Sequence, residues 1–218
     1  MPDHDEGELR NDTAPPAQRL ADRLAPSSRW ATAMPVLDDL ARLDLAVYRA
    51  IAVTPTPALD EPMRRLSDLA NNAKLWLAMA AVMGTVGGRA GRRAAMAGVA
   101  ALAVNAAVVN TPIKLAGGRI RPDREAAGVP AARHVAMPDS PSFPSGHTAS
   151  GFAFAAAVAG TTPAIAAPLR LLAAVVGYSR VHTGVHYPGD VVAGALFGTT
   201  IGESVALIAR SIARRSHR

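Results

Sequence analysis

Apolar segments of nearly one membrane thickness recur along this chain, and they constrain its fold more than any other feature. LWLAMAAVMGTVGG (75–88), AAMAGVAALAVNAAVVNTPI (94–113), TASGFAFAAAVAGTTPAIAAP (148–168), LRLLAAVVGYS (169–179, extendable through Val181) and VVAGALFGTTIGESVALIA (191–209) carry almost no charge. A bilayer core takes about 20 residues of helix, and lipid leaves the backbone to satisfy its own hydrogen bonds. An all-α membrane bundle with about five transmembrane helices is therefore expected. Only 4% of the chain is aromatic, and the spans are built of small residues, which let helices approach closely in lipid. Gly84 with Gly88, and Gly194 with Gly198 and Gly202, are expected to mark such contacts. Asn105 and Asn110 are expected to hydrogen-bond between helices.

The segment VLDDLARLDLAVYRAIAV (36–53) has helical periodicity but carries Asp38, Asp39, Arg42, Asp44 and Arg49. It reads first as an amphipathic interfacial helix, and second as a protein-covered sixth span. Residues 1–33 are polar, contain proline and mix both charges, so a disordered tail is expected. No apolar run follows a basic start, and no signal peptide is expected. The expected organisation is a tail over 1–33, a membrane domain over 34–210 and a basic cytoplasmic tail over 211–218.

The formal net charge is +6. Apart from Lys74 and Lys114 the Lys/Arg complement is arginine, a bias typical of GC-rich bacterial genomes. Arg89, Arg92 and Arg93 follow the first span, Arg170 lies after the third, and Arg210, Arg214, Arg215 and Arg218 follow the fifth. Alternating spans put these groups on one side, which the positive-inside bias makes cytoplasmic. Segments 114–146 and 180–190 then share the outer side. The positive balance reads as an anchor at anionic lipid, and no nucleic-acid partner is expected. The chain has no cysteine, which excludes disulfides, thiolate metal sites and cysteine nucleophiles.

Three polar clusters interrupt the apolar pattern: KLAGGRIRP (114–122), PSGH (144–147) and SRVHTGVHYPGD (179–190). Lys114, Arg121 and Arg180 offer three cations, and arginine forks match phosphate oxygens in pairs. Ser145 and Gly146 precede an apolar helix, whose N-terminal N–H groups can cradle an anion. His147 and His186 can carry protons. Asp190 stands four residues after His186, and a carboxylate beside an imidazole fixes its tautomer and raises its basicity. A lone histidine at a helix start is most often a cap or a surface residue; the two other clusters outweigh that reading for His147. Arg119 reads as an auxiliary or solvated charge, and His182 as non-catalytic.

The spacings K-x6-R-P, P-S-G-H and S-R-x5-H-x3-D, in this order, resemble the three signatures of the type 2 phosphatidic acid phosphatase (PAP2) family, over roughly residues 74–205. The apolar spans resemble its membrane lipid phosphatase branch. The short single-domain form also resembles phosphatases of polyprenyl-linked phosphoribose. The resemblance implies a helical bundle and a metal-independent, cofactor-free lipid phosphate phosphatase working through a phosphohistidine. By it, His186 is the nucleophile, Asp190 orients it, and His147 protonates the leaving oxygen. Lys114, Arg121, Arg180, Ser145 and Gly146 hold the phosphate. Polyprenyl-linked phosphate, phosphatidic acid and phosphatidylglycerol phosphate are the candidate substrates. The alternatives are a lipid phosphotransferase, a non-catalytic lipid-phosphate binding or transport protein, and a vanadate-dependent haloperoxidase, the last disfavoured by the apolar spans.

Overall fold

The structure is a computed structural model and describes residues 28–215. The chain divides into two units, Met1–Arg42 and Leu43–Arg218. The described part of the first is the N-terminal portion of helix α1 (Ser28–Val53). The helix thus begins inside the segment expected to be a polar tail, most of which lies outside the described residues. α1 has 26 residues, about 39 Å of rise.

The second unit continues with α2 (Pro57–Leu69), a 3₁₀ turn (Asn71–Ala73), α3 (Lys74–Val86) and α4 (Gly88–Val108). A π-helical turn at Val109–Ile113, holding Pro112, leads into the short α5 (Lys114–Gly117). A long loop then reaches α6 (Gly146–Ala159), α7 (Ala166–His182) and α8 (Pro188–Arg215). No strand occurs among the described residues, so the all-α expectation is met. α2 was not anticipated. Its start is written in the sequence nonetheless: Pro57 opens it and Asp60 sits in the first turn, both favoured there.

Among the described residues, three helical runs are long and apolar enough to cross a membrane: Gly88–Ile113, Pro163–His182 and Pro188–Arg215. α3 and α6 have 13 and 14 residues and fall short of a full span. α6 is the central helix, packed against α4, α7 and α8. Ala149, Ala153, Phe154, Ala155, Ala157 and Val158 on it are buried. Protein rather than lipid surrounds it, so its length is not set by bilayer thickness. The expected third and fourth spans are re-divided at Thr162–Pro163, where a new helical run begins.

The glycine stripe on α8 does what its spacing predicts. A Cβ at Gly194, Gly198 or Gly202 would collide with the backbone carbonyls of Ser145, Ala149 and Ala153 on α6. The pair Gly84 and Gly88 behaves otherwise. Gly84 makes ordinary contact with Ala95, and Gly88 adopts φ +59° in open space at the α3–α4 junction. Its role is backbone conformation, not close packing. Trp76 and Phe154, with ring centroids 5.6 Å apart, anchor the main core beside Leu102, Leu169 and Val176. Asn105 Nδ2 donates to Ser150 Oγ at 3.0 Å, joining α4 to α6 as expected.

Candidate active site

Arg93 and Arg210 line one apolar groove, so the start of α4 and the end of α8 share one end of the bundle. α4 runs from there to Lys114, and α8 runs back from Asp190. Lys114 and Asp190 therefore lie at the other end. Here a cavity of about 430 Å³ is lined by Lys114, Arg121, Gly146, His147 and His186, with Asn72, Ser140 and Ser150 among its other walls. Its size falls within the range of small-molecule sites.

Local structure fixes the reactive groups. α7 closes at His182, and the chain reverses through Gly184 at φ +74°. A Cβ there would meet Arg124 Cβ at 2.8 Å, so glycine is required on both counts. The Arg180 carbonyl accepts from the N–H groups of Val185 (3.1 Å) and His186 (3.2 Å). His186 is thereby held in the turn, and Pro188 starts α8 two residues on. Asp190 lies in the first turn of α8, where the helix dipole favours a carboxylate. Its Oδ2 accepts from the Tyr187 N–H at 3.0 Å and faces His186 Nδ1 at 3.3 Å. That contact assigns the imidazole proton to Nδ1 and leaves the Nε2 lone pair on the side of Arg121, whose Nη1 is 3.3 Å away.

Arg121 is pinned by the carbonyls of Ser140 and Val185, each at 2.8 Å. Lys114 Nζ donates to Ser140 Oγ at 2.8 Å. Arg180 is buried behind the cavity; Nη1 donates to Ser67 Oγ, and Nε has no hydrogen-bond partner among the described residues. Ser145 caps α6, its Oγ accepting from Thr148 Oγ at 2.9 Å. Its N–H is already committed to the Asp190 carbonyl at 2.9 Å, which leaves the hydroxyl proton as its free donor. Gly146 opens α6, and the first N–H groups of a helix lack intrahelical partners. His147 Nε2 meets Asn71 Oδ1 at 2.8 Å.

Burial dominates the titration of the site. It pushes His186 down to about 4, with Arg121 and Arg180 adding to the fall and Asp190 opposing it. Burial, then Arg180, His186, Lys114 and Arg121, hold His147 far below the ordinary histidine range. Lys114 falls to about 8 through burial and the neighbouring arginines. An anion among these cations would cancel much of that field and raise all three groups.

The eight residues singled out from sequence thus come together at one end of the bundle. Five line the cavity, while Asp190, Arg180 and Ser145 stand behind it. His182 does not join them. It meets Thr56 Oγ at 3.0 Å and Asp60 at 3.3 Å. Arg119 is neither solvated nor incidental: it bridges Asp190 and Asp44. Asn71, Asp44, Ser67 and Ser140 were not anticipated in contact with the site. Of these Asp44 alone belongs to a segment the sequence singled out, where it is one of five charged residues on a helix-periodic stretch.

Fold and cavity together define a helical membrane protein with a cationic, two-histidine site. The chain belongs to the PAP2 superfamily, whose model matches residues 94–213. It is 33% identical over 166 residues to the decaprenylphosphoryl-5-phosphoribose phosphatase of Mycobacterium tuberculosis, covering 75% of this chain and 89% of that protein. It is 36% identical over 161 residues to the enzyme of the same name from Mycolicibacterium smegmatis, covering 72% and 84%. A lipid A 1-phosphatase of Rhizobium etli is 40% identical over 91 residues, 39% of this chain and 38% of that one. Among solved structures, LpxE of Aquifex aeolicus superposes with a TM-score of 0.58 at 27% identity, covering 76% of this chain and 94% of that one. The transmembrane PAP2-type phosphatidylglycerolphosphate phosphatase of Bacillus subtilis shares the fold, with a TM-score of 0.61 at 22% identity over 80% and 88% of the two chains.

Proposed function

We propose that this protein is a metal-independent membrane phosphatase that hydrolyses the phosphomonoester of a polyprenyl-linked phosphosugar, a 5-phosphoribose head group ranking first. The observation that carries the chemistry is His186, with Nδ1 on Asp190 and Nε2 beside Arg121 at the cavity wall. In this reading Nε2 attacks phosphorus and forms a P–N bond. The P–O bond to the lipid-linked sugar breaks, and His147 gives its proton to the departing oxygen. Water then attacks phosphorus, His147 takes its proton, and the P–N bond breaks to release phosphate. Lys114, Arg121 and Arg180 neutralise the phosphoryl oxygens throughout, a role a metal would otherwise fill. The same anion raises His147 toward the range where it can act as an acid.

The substrate class rests on the two mycobacterial relatives, similar over most of both chains. The test is phosphate release by detergent-purified protein from decaprenylphosphoryl-5-phosphoribose, decaprenyl phosphate and phosphatidic acid at equal detergent mole fraction, with His186→Ala as control. The phosphoribose lipid is expected to give the highest kcat/KM. A tenfold preference for phosphatidic acid, about 1.4 kcal/mol of transition-state binding, would overturn the ranking and leave the chemistry standing. Activity should survive EDTA, and vanadate should inhibit as a transition-state mimic. Loss with EDTA and rescue by magnesium would reject the metal-free reading.

The site is proposed to face away from the cytoplasm. The exposed arginines 89, 92 and 93 and the arginines ending α8 lie at the opposite end of the bundle from the cavity, which the positive-inside bias makes cytoplasmic. Ala126→Cys and Ala90→Cys, both at exposed positions of a cysteine-free chain, test it in intact cells. An impermeant thiol reagent should label the first and not the second.

A further inference from the structure

α1 contributes no signature residue, yet it reaches the site. Asp44 Oδ2 accepts from Arg119 Nη2 at 2.7 Å, and Asp44 Oδ1 accepts from the Gly189 N–H at 2.6 Å. The other guanidinium nitrogen, Nη1, donates to Asp190 Oδ1 at 2.8 Å. Asp190 Oδ2 is the oxygen facing His186. The guanidinium also lies over the Tyr187 ring at 4.0 Å. Tyr48, one turn after Asp44, packs edge-on against Tyr187 at 5.3 Å. The Asp190 side chain is wholly buried and that of Asp44 is 11% exposed, while Arg119 between them is 32% exposed, so water reaches the arginine more than the carboxylates.

Stereochemistry gives this chain two consequences. One Asp190 oxygen is occupied by Arg119 and the other is aimed at His186, so the carboxylate cannot rotate freely. A lone Arg119–Asp190 pair would be neutral and would weaken the carboxylate's hold on the imidazole. Asp44 shares the arginine, and the Asp44–Arg119–Asp190 group keeps one net negative charge beside His186. Burial lowers Arg119, but hydrogen bonds and the charges of both carboxylates outweigh it, so the cation persists at any working pH.

We propose that Arg119 and Asp44 are positioning residues of the phosphatase: Asp44 orients Arg119, and Arg119 locks Asp190 against His186 while leaving it anionic. This rests on the reading of His186 as nucleophile. Other charged groups bear on His186 directly: Asp190 from α8, Arg121 from the long loop and Arg180 from α7. His147 faces it from α6. None of these is altered in the test.

The test is a double-mutant cycle on phosphate release from decaprenylphosphoryl-5-phosphoribose and from phosphatidic acid, with Asp44→Asn, Arg119→Gln and the double variant. Asn at 44 keeps an acceptor for Gly189. Each single variant should lose kcat by about 10- to 100-fold, the effect typical of groups that orient a reactive ligand. KM should stay within about twofold, because Lys114, Arg121 and Arg180 are untouched. Asp44→Asn in the Arg119→Gln background should cost no more than about a further twofold, because it acts through Arg119. The acid limb of kcat/KM gives a signature that loose packing would not. Asp44→Asn removes a negative charge and moves it to lower pH. Arg119→Gln removes a positive charge and moves it to higher pH. The double variant restores the net charge and should return the limb to its original place. If Arg119→Gln does not fold, the Asp44→Asn limb and the return in the double variant still decide. Independent losses that multiply, limbs moving in one direction, or raised KM with unchanged kcat would overturn the proposal. If His186→Ala stays active, the nucleophile reading fails; if it is dead while both singles match the parent, only the positioning role fails.

Discussion

Two Arg–Asp–His clusters sit at the same end of this bundle, and the difference between them is instructive. In the first, Arg133 is wholly buried and every donor is used. Nε reaches Asp60 (2.8 Å), Nη1 the carbonyls of Ile51 (3.1 Å) and Ala52 (3.3 Å), and Nη2 the Thr54 carbonyl (2.7 Å) and Thr56 Oγ (3.0 Å). His182 closes that cluster through Asp60 and Thr56. In the second, Arg119, Asp190 and His186 are bonded on one side only. His186 and the adjoining cations Lys114 and Arg121 border a cavity. The first cluster satisfies the chain's own carbonyls at the end of α1 and ties the long loop to α2. The second places His186, Lys114 and Arg121 on the wall of a cavity a ligand can enter. Residue type is the same in both; what separates the proposed catalytic cluster from the scaffolding one is that it opens on a cavity.

The sharpest way to break this comparison is to remove each histidine. His186→Ala should leave essentially no turnover, and Asp190→Asn should lose about 10²–10⁴-fold in kcat, by analogy with the orienting carboxylate of a catalytic triad. His182→Gln should keep kcat near the parent value. Steady-state phosphate release measures all three. Equal losses at 182 and 186 would erase the distinction.

The arginines should fail in opposite ways. Arg133→Ala leaves Asp60 and the α1 carbonyls buried without partners and should cost about 3–5 kcal/mol of stability, read as a lowered thermal midpoint in detergent. Turnover per folded molecule should hold. Arg121→Lys should keep the midpoint and lose turnover, because a lysine cannot reproduce the bidentate fork.

The same contrast explains what was legible in the sequence. The signature residues stood out because each is a charged or imidazole group at the edge of an apolar segment, where few other uses exist. The α8 glycines were legible because a spacing of four puts them on one helix face. Gly84 and Gly88 share that spacing and do not pack, since a turn and a close contact demand the same residue. The pairing of Asp44 with Arg119 was not legible: Arg119 reads from sequence only as an auxiliary or solvated charge, and Asp44 only as one of several charges on an amphipathic helix. Their bonds join positions 75 and 145 residues apart, and no periodicity encodes such a pairing. α6 looked like an ordinary span because composition does not tell lipid from surrounding protein. The Arg133 cluster was silent for a related reason: its partners are mostly backbone carbonyls, which every residue carries.

The smallest expected effect is on pH dependence, and it distinguishes the clusters without disrupting either. In the proposed mechanism His186 must be neutral to attack, and burial pushes it down to about 4 from the ordinary 6.5. The part of the acid limb of kcat/KM that belongs to His186 should therefore appear only as pH drops through about 4. The lowered value also has a stability consequence: the contribution of neutral His186 is complete above 6.5 and is lost as pH falls from there through about 4. On the alkaline side Lys114 must be charged if it holds phosphate as proposed, and burial pushes it down to about 8. kcat/KM should decline above that value, about tenfold per unit once deprotonation dominates. Lys114→Arg should carry the alkaline limb upward, since a guanidinium stays charged. His182→Gln should move neither limb, because its cluster borders no substrate. A limb that shifts with His182, or an alkaline limb unmoved by Lys114→Arg, would show that the two clusters share a titration and that their separation is not functional.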